Sequence, residues 1–170
     1  MKDEDATAPD ASGKAAKIYL GLRKQILGYA ARNSENLPEY MALMMDWATP
    51  NWVATIVAGA EGSASIYLSN GGGFIGGGQK YATLRNCAMA AIDCAKEVES
   101  LMAEAEEYAL PRVREVSFYL VKRGQVLTAK ASESDIRENR SPFTKLGNAA
   151  MAIMTEYRLI TTNSKNPTVQ

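Results

Sequence analysis

The most chemically suggestive stretch of the chain is a glycine run, SNGGGFIGGGQK, at residues 69–80. Gly71, Gly73 and Gly76 have the G-x-G-x-x-G spacing of a dinucleotide-binding loop, between a strand pattern and a helix pattern. The wider context of such a site is missing, because the preceding strand belongs to a hairpin and no second parallel strand follows. We therefore interpret the run as structural, with glycines that permit positive φ and close approach of the backbone.

A second interpretation of the same run is an anion site. A Walker-type loop is excluded, because Gln79 follows Gly78 and Lys80 comes one position too late. Backbone N–H groups at the start of a helix can still hold an anion, with added charge from a lysine. This alternative would use Gly73, Gly76, Gly77, Gly78 and Lys80. In the structural interpretation, Phe74 and Ile75 would instead pack against the core or against a partner.

The rest of the composition offers little for catalysis. The chain has no histidine and only two cysteines, which excludes Ser-His-Asp and Cys-His sites and the usual zinc ligand sets. Cys87 and Cys94 lie seven residues apart in one helix pattern, so they are expected to be unbridged packing residues. No paired carboxylates stand out either. We predict no catalytic residues, no metal ligands and no cofactor, and we expect the protein not to be an enzyme.

The net charge and the first residues of the chain indicate where the protein is located and which partners it does not attract. Nineteen basic and nineteen acidic residues cancel, so no overall field attracts nucleic acid. The start of the chain resembles neither a signal nor a transit peptide, and no apolar run is long enough to cross a bilayer. These features predict a cytoplasmic protein that does not insert into membranes. Polar residues 1–13 and 161–170 are predicted to be tails around one domain, 14–160.

Two helices are predicted before the glycine run. Residues 14–31 carry an apolar face of Ile18, Leu22, Ile26 and Tyr29 at helical spacing. The Met-rich segment 37–47 is predicted to be a short helix, because proline in its first turn is followed by apolar residues along one side. Its methionines, Met41, Met44 and Met45, beside Trp47 and Trp52, suit either core filling or an adaptable binding surface, and core filling is preferred.

The remaining elements are two hairpins and two helices. WVATIVAG and SASIYLS form a first hairpin around AEG, and REVSFYLVKRGQVLTAKA forms a second around KRGQ. Between them, residues 79–108 are predicted to be a long helix with an alanine-rich stripe that packs on the sheet. The last helix is predicted to begin at Ser141 and Pro142. The expected fold is α+β, a central, mostly antiparallel sheet of about four or five strands covered by helices.

This order of elements resembles the roadblock and dynein light chain family, a relative of the profilin and longin folds. The resemblance rests on VATIVAGAEGSASIYLSNGGG, LRNCAMAAIDCAKEVESL, VREVSFYLVKRGQVLTAKA and LGNAAMAIMTEYRLI, and it covers residues 14–160. The Met-rich segment and the glycine run depart from the minimal domain. The resemblance implies homodimers formed through sheet edges and the central helix, and partners such as a small GTPase or a transport or motility assembly.

The second hairpin is the predicted edge for such a dimer. VSFYLV contains only one strongly polar residue, so both faces of this strand need cover. The candidate interface residues are Tyr119, Val121, Cys94 and Leu101; burial between two helices of a monomer is the competing explanation. The leading functional hypothesis is a non-catalytic, homodimeric scaffold or regulator, and the alternative is a small-molecule or anion-binding domain or enzyme that uses Gly71–Gly78.

Overall fold

The computed structural model describes residues 16–32 and 35–165. In this part of the chain an antiparallel sheet has seven strands in the order β4-β3-β2-β1-β6-β7-β5. The strands are β1 (Tyr40–Ala48), β2 (Val53–Gly59), β3 (Ala64–Leu68), β4 (Gly73–Phe74), β5 (Ala103–Glu104), β6 (Glu115–Lys122) and β7 (Gln125–Ser132). The helices are α1 (Lys17–Leu27), α2 (Ala82–Val98), α3 (Glu133–Arg137) and α4 (Thr144–Lys165).

The helices lie on both sides of this sheet. Helices α2 and α4 pack on one face around Leu43, Ile56 and Phe118, while α1 covers the other face around Met44 and Val57. The α+β class and the antiparallel sheet are confirmed, but the prediction of four or five strands is wrong, because the sheet has seven. The short strands β4 and β5, of two residues each, and β1, predicted as a helix, account for the difference. No helix in the described part of the chain is long and apolar enough to span a membrane.

The helix predicted at 37–47 is wrong, because this segment forms β1. It is the middle strand of the sheet, with β2 on one side and β6 on the other. Met44 points to the α1 face and Met45 to the opposite face, and both are buried. A strand buried on both faces shows no polar alternation, which is why its sequence resembles a helix. The preference for core filling by these methionines is confirmed.

Helix α1 is found where expected, and Ile26, Leu22 and Tyr29 of its predicted face pack on the core, but the inward side is rotated away from Ile18. Ile18 is 63% exposed, while Tyr19 and Arg23 are buried against the sheet. The reason is polar: Asp46 of β1 is buried beneath the helix and forms an ion pair with Arg23. That contact sets the rotation of the helix, which apolar periodicity alone cannot supply. The tail predicted at 1–13 lies outside the described residues.

The long helix is shorter than predicted and the last helix is longer. Helix α2 ends at Val98, and the chain then makes a 3-10 turn at Glu99–Leu101 and pairs as β5 with β7. This path carries the chain around the sheet edge, so that Ala105 packs on the α1 side of the sheet. Helix α4 continues to Lys165, into the first half of the tail predicted at 161–170.

Candidate functional site

The glycine run forms an edge of the sheet and then turns into α2. The backbone N–H of Gly76 donates to Ser65 Oγ at 3.0 Å, and that of Gly77 donates to Tyr157 Oη at 2.9 Å. The Tyr157 hydroxyl in turn donates to the carbonyl of Ala64 at 2.6 Å. Two of the amides that an anion would need are therefore already bonded to protein oxygens.

Local geometry explains why two positions of this run are glycine, Gly78 because of close packing and Gly76 because of its backbone conformation. A Cβ atom on Gly78 would lie 1.9 Å from the carbonyl oxygen of Gly62, in the turn of the first hairpin. Gly76 has φ 69°, in the left-handed region that favours glycine. Lys80 is exposed, and its Nζ lies 5.3 Å from the ring centroid of Tyr81. This geometry favours the structural interpretation over an anion site at Gly73, Gly76, Gly77, Gly78 and Lys80.

The two apolar residues within the run behave differently from each other. Phe74 stacks on Tyr157 of α4, with ring centroids 4.9 Å apart and an interplanar angle of 19°, yet it stays 43% exposed. Ile75 packs less and is 70% exposed. Phe74 thus packs partly against the core, while Ile75 projects into solvent. We call Gly73, Phe74 and Ile75 the edge patch, because β4 is the outermost strand at its end of the sheet.

The candidate interface residues of the second hairpin lie inside the monomer. Strand β6 pairs with β1 and β7, so it is not a sheet edge. Tyr119 and Val121 are buried on the α1 side of the sheet. Cys94 is buried on α2, whereas Leu101 is 58% exposed beyond the end of that helix. The competing explanation, burial within a monomer, therefore accounts for both faces of VSFYLV.

A buried polar network beneath α1 was not anticipated from the sequence. Arg23 donates to Asp46 Oδ2 from Nε at 3.0 Å and from Nη2 at 2.7 Å. Thr55 donates to Asp46 Oδ1 at 2.6 Å, and its hydroxyl lies 2.8 Å from that of Tyr19. Arg23 also donates from Nη1 to the carbonyl of Tyr108 at 2.7 Å. The network joins α1, the sheet and the segment that follows β5.

The electrostatics of this network follow from its burial. Burial alone would lower the pKa of Arg23, but the Asp46 carboxylate outweighs it and holds that pKa above its ordinary value. Burial also raises the pKa of Tyr19, with a further contribution from Asp46. Arg23 therefore stays charged, and every oxygen of Asp46 has a donor. We interpret the network as an anchor for α1, and a single aspartate within an apolar strand was its only sequence signal.

A second polar cluster lies where α2 ends. Lys122 of β6 forms ion pairs with Glu99 and, at 3.2 Å, with Glu39. Tyr40 donates a hydrogen bond to Glu99, and the Lys122 Nζ lies 4.9 Å from the centroid of the Tyr40 ring. The pKa of Glu99 is lowered mainly by its hydrogen bond from Lys122, with that from Tyr40 second. The cluster fixes the turn after α2 to the sheet.

Two further features concern metals and thiols. Within residues 16–32 and 35–165, no group of three histidine, cysteine or acidic residues is arranged to hold a metal ion. Cys87 and Cys94 are both free, as predicted, and burial raises the pKa of each thiol.

No protein-family model matches this sequence, and neither the curated proteins nor the solved structures include one that is significantly similar to it.

Proposed function

We propose that the protein is a non-catalytic protein–protein interaction module, which works as a homodimer and serves as a scaffold or regulator of another protein. The observation that carries the proposal is the edge patch. It combines an exposed isoleucine and a half-exposed phenylalanine with an outer strand that, among residues 16–32 and 35–165, has no further strand beside it. Exposed apolar residues at an unpaired edge are a common basis for pairing with another chain.

The charge around the edge patch supports an interface there. Monomeric proteins usually protect an open edge with charged residues, lysine above all. Here no charged residue occurs between Glu61 and Lys80. Strand β3 and the edge patch are thus uncharged along their whole length. A second copy, related by a two-fold axis, could pair the same edge with itself.

The glycine loop supports the alternative function less well. An anion or cofactor at Gly71–Gly78 would compete with Ser65 and Tyr157 for the amides of Gly76 and Gly77. The buried ionisable groups beneath α1 are already paired with one another. Protein binding therefore remains the function that the geometry supports best. The roadblock resemblance makes a small GTPase or a transport or motility assembly the first candidates for the partner.

Light scattering at micromolar concentration tests the dimer. We expect about twice the 18.4 kDa mass of one chain, and we expect I75D to return the mass to that of a monomer. The control is L101D, which changes an exposed leucine at another surface and should leave the dimer intact. A monomer mass over the whole dilution range would contradict the dimer, and dissociation by L101D alone would move the interface to the end of α2.

The scaffold role needs a separate experiment. Wild-type protein and the I75D and L101D variants are immobilised, and proteins bound from native cell extract are identified by mass spectrometry. We expect a specific partner on the wild type and on L101D that is lost on I75D. Equal recovery of that partner on all three proteins would contradict the edge patch as the binding surface.

A further inference from the structure

A cleft lined by residues other than those of the edge patch has the features of a small-molecule site. It lies where β1 ends and β6 begins, beneath α3 and α4. An apolar cavity of about 290 Å³ is lined by Met45, Val116, Ile136 and Met151. A polar cavity of about 450 Å³ adjoins it and is lined by Thr49, Arg114, Ser132 and Ser134. Trp47, Glu133 and Arg137 line both cavities and so form their common boundary.

The indole of Trp47 provides an unused donor at this boundary. Its Nε1 atom is buried and has no hydrogen-bond partner in the described part of the chain. The ring itself is fixed by Trp52, at a centroid distance of 5.8 Å and an interplanar angle of 82°. A buried N–H without an acceptor is unfavourable, and an indole can only donate. An acceptor oxygen placed beside Nε1 would satisfy this donor.

Two arginines supply positive charge beside that donor. Among the described residues, the guanidinium of Arg137 is paired with Glu133 alone, at a long distance of 3.8 Å. The guanidinium of Arg114 forms no ion pair or hydrogen bond with any residue that the structure describes, while its backbone is held by Ala48 and Glu133. Two cations and one carboxylate leave one positive charge at the cleft. A monoanion fits this balance, and the planar forks of arginine suit a carboxylate.

We propose that this cleft binds an organic monocarboxylate with an extended apolar body. The apolar body occupies the cavity against Met45, Ile136 and Met151. The carboxylate lies at the boundary, where it accepts from Trp47 Nε1 and pairs with Arg114 and Arg137. Each cavity is close to or within the range of about 300–1,000 Å³ that is usual for small-molecule sites, and an apolar pocket with few polar groups is their common form.

Octanoate, used where it is monomeric, is the probe for this site, and octanol is its neutral counterpart. Calorimetry should show saturable binding of octanoate and at least tenfold weaker binding of octanol. The W52F variant leaves Trp47 as the sole indole, and its fluorescence should change over the same concentration range. Absence of saturable binding up to millimolar octanoate would overturn the proposal. Equal affinity for octanol would also overturn it, because the cleft would then be a purely apolar groove.

Variants locate the binding to the cleft. The double variant R114Q/R137Q should weaken octanoate binding at least tenfold, and W47F, which keeps an aromatic ring but removes the donor, should weaken it about fivefold. R158Q is the matched control, because it removes an exposed arginine of α4 that does not line the cleft. Thermal unfolding of each variant checks that it is folded. Affinities unchanged in R114Q/R137Q, or reduced equally in R158Q, would overturn the proposal.

Discussion

The backbone amide of Gly77 donates a hydrogen bond of 2.9 Å to the phenol oxygen of Tyr157, which itself donates to Ala64 at 2.6 Å. One hydroxyl group thereby ties the glycine loop to α4 and to β3. Its removal in Y157F leaves a donor and an acceptor unpaired, and we expect a loss of about 1–3 kcal/mol in the free energy of unfolding. Urea denaturation measures it. Y81F is the control and should unfold like the wild type, because the Tyr81 hydroxyl forms no hydrogen bond with the residues that the structure describes.

Position 78 is expected to tolerate only glycine, because a side chain there would collide with the carbonyl oxygen of Gly62. We expect G78A to lower the free energy of unfolding by about 1–3 kcal/mol, because the added methyl group meets backbone that cannot rotate away. The matched control is G21A, in the middle of α1, where a Cβ would have no heavy atom within 4 Å. That variant should be stabilised by about 0.5–1 kcal/mol. Similar melting temperatures for the two variants would refute this packing.

The pair of Arg23 and Asp46 should show strong coupling. D46L alone leaves a buried guanidinium without its counter-charge, and we expect a loss of about 3–5 kcal/mol. The double variant R23M/D46L should be less destabilised than D46L, since no uncompensated charge remains and the carbonyls of Tyr108 and Ala109 lie at exposed positions. Denaturant unfolding of both single variants and the double variant gives the coupling energy. Additive losses would show that the pair does not act as a unit.

The Glu99 cluster predicts a stability difference that depends on pH. The folded-state pKa of Glu99 is lowered, so the carboxylate stabilises the fold above its unfolded pKa of about 4.3, and this contribution is lost as pH falls through the folded value. E99Q should therefore be less stable than the wild type at pH 7, by about 1 kcal/mol or less, and by a smaller amount near pH 3, below the unfolded pKa. E106Q, at an exposed position, is the control. A difference of the same size at both pH values would contradict this assignment.

The alanine stripe of α2 should not tolerate larger side chains. Ala91 is completely buried against the sheet and α4, so A91L is expected to cost roughly 1–3 kcal/mol by overpacking. A90L, one position further round the helix, points to solvent and should have almost no effect. Thermal unfolding compares the two. Equal melting temperatures would mean that the buried face of α2 has been assigned wrongly.

Sequence patterns predicted those helices and hairpins whose conformation depends mainly on residues close together in the chain. The Arg123-Gly124 turn and the alternation in β7 identify the second hairpin, and the alanine stripe identifies α2. The segment 37–47 was misassigned because β1 is buried on both faces, by α1 on one side and by α2 and α4 on the other. No local pattern records that burial. Propensity and periodicity are weak guides wherever tertiary contacts decide the conformation.

The candidate sites, like the fold, were predictable from the sequence only where neighbouring residues form them. The glycine run was recognised, but its partners Ser65 and Tyr157 come from β3 and α4. The cleft at Trp47 draws on β1, β6, α3 and α4, so no short motif marks it. In the sequence, Arg114 and Arg137 lie in separate segments, one just before β6 and the other at the end of α3. Their proximity to one indole becomes visible only in the folded chain.

The central position of β1 has a consequence for how the chain folds. Asp46 of β1 pairs with Ser117 of β6, about 70 residues later, whereas β1, β2 and β3 pair through short turns. The three-stranded meander can form early, but β1 is then an edge strand, and its side facing β6 stays unpaired until the second hairpin is made. Closing so long a loop is entropically costly, and such non-local pairings slow folding. During synthesis on the ribosome, the apolar edge of β1 is therefore exposed until residues 115–122 have emerged, which makes this interval the one in which the chain most needs protection from aggregation.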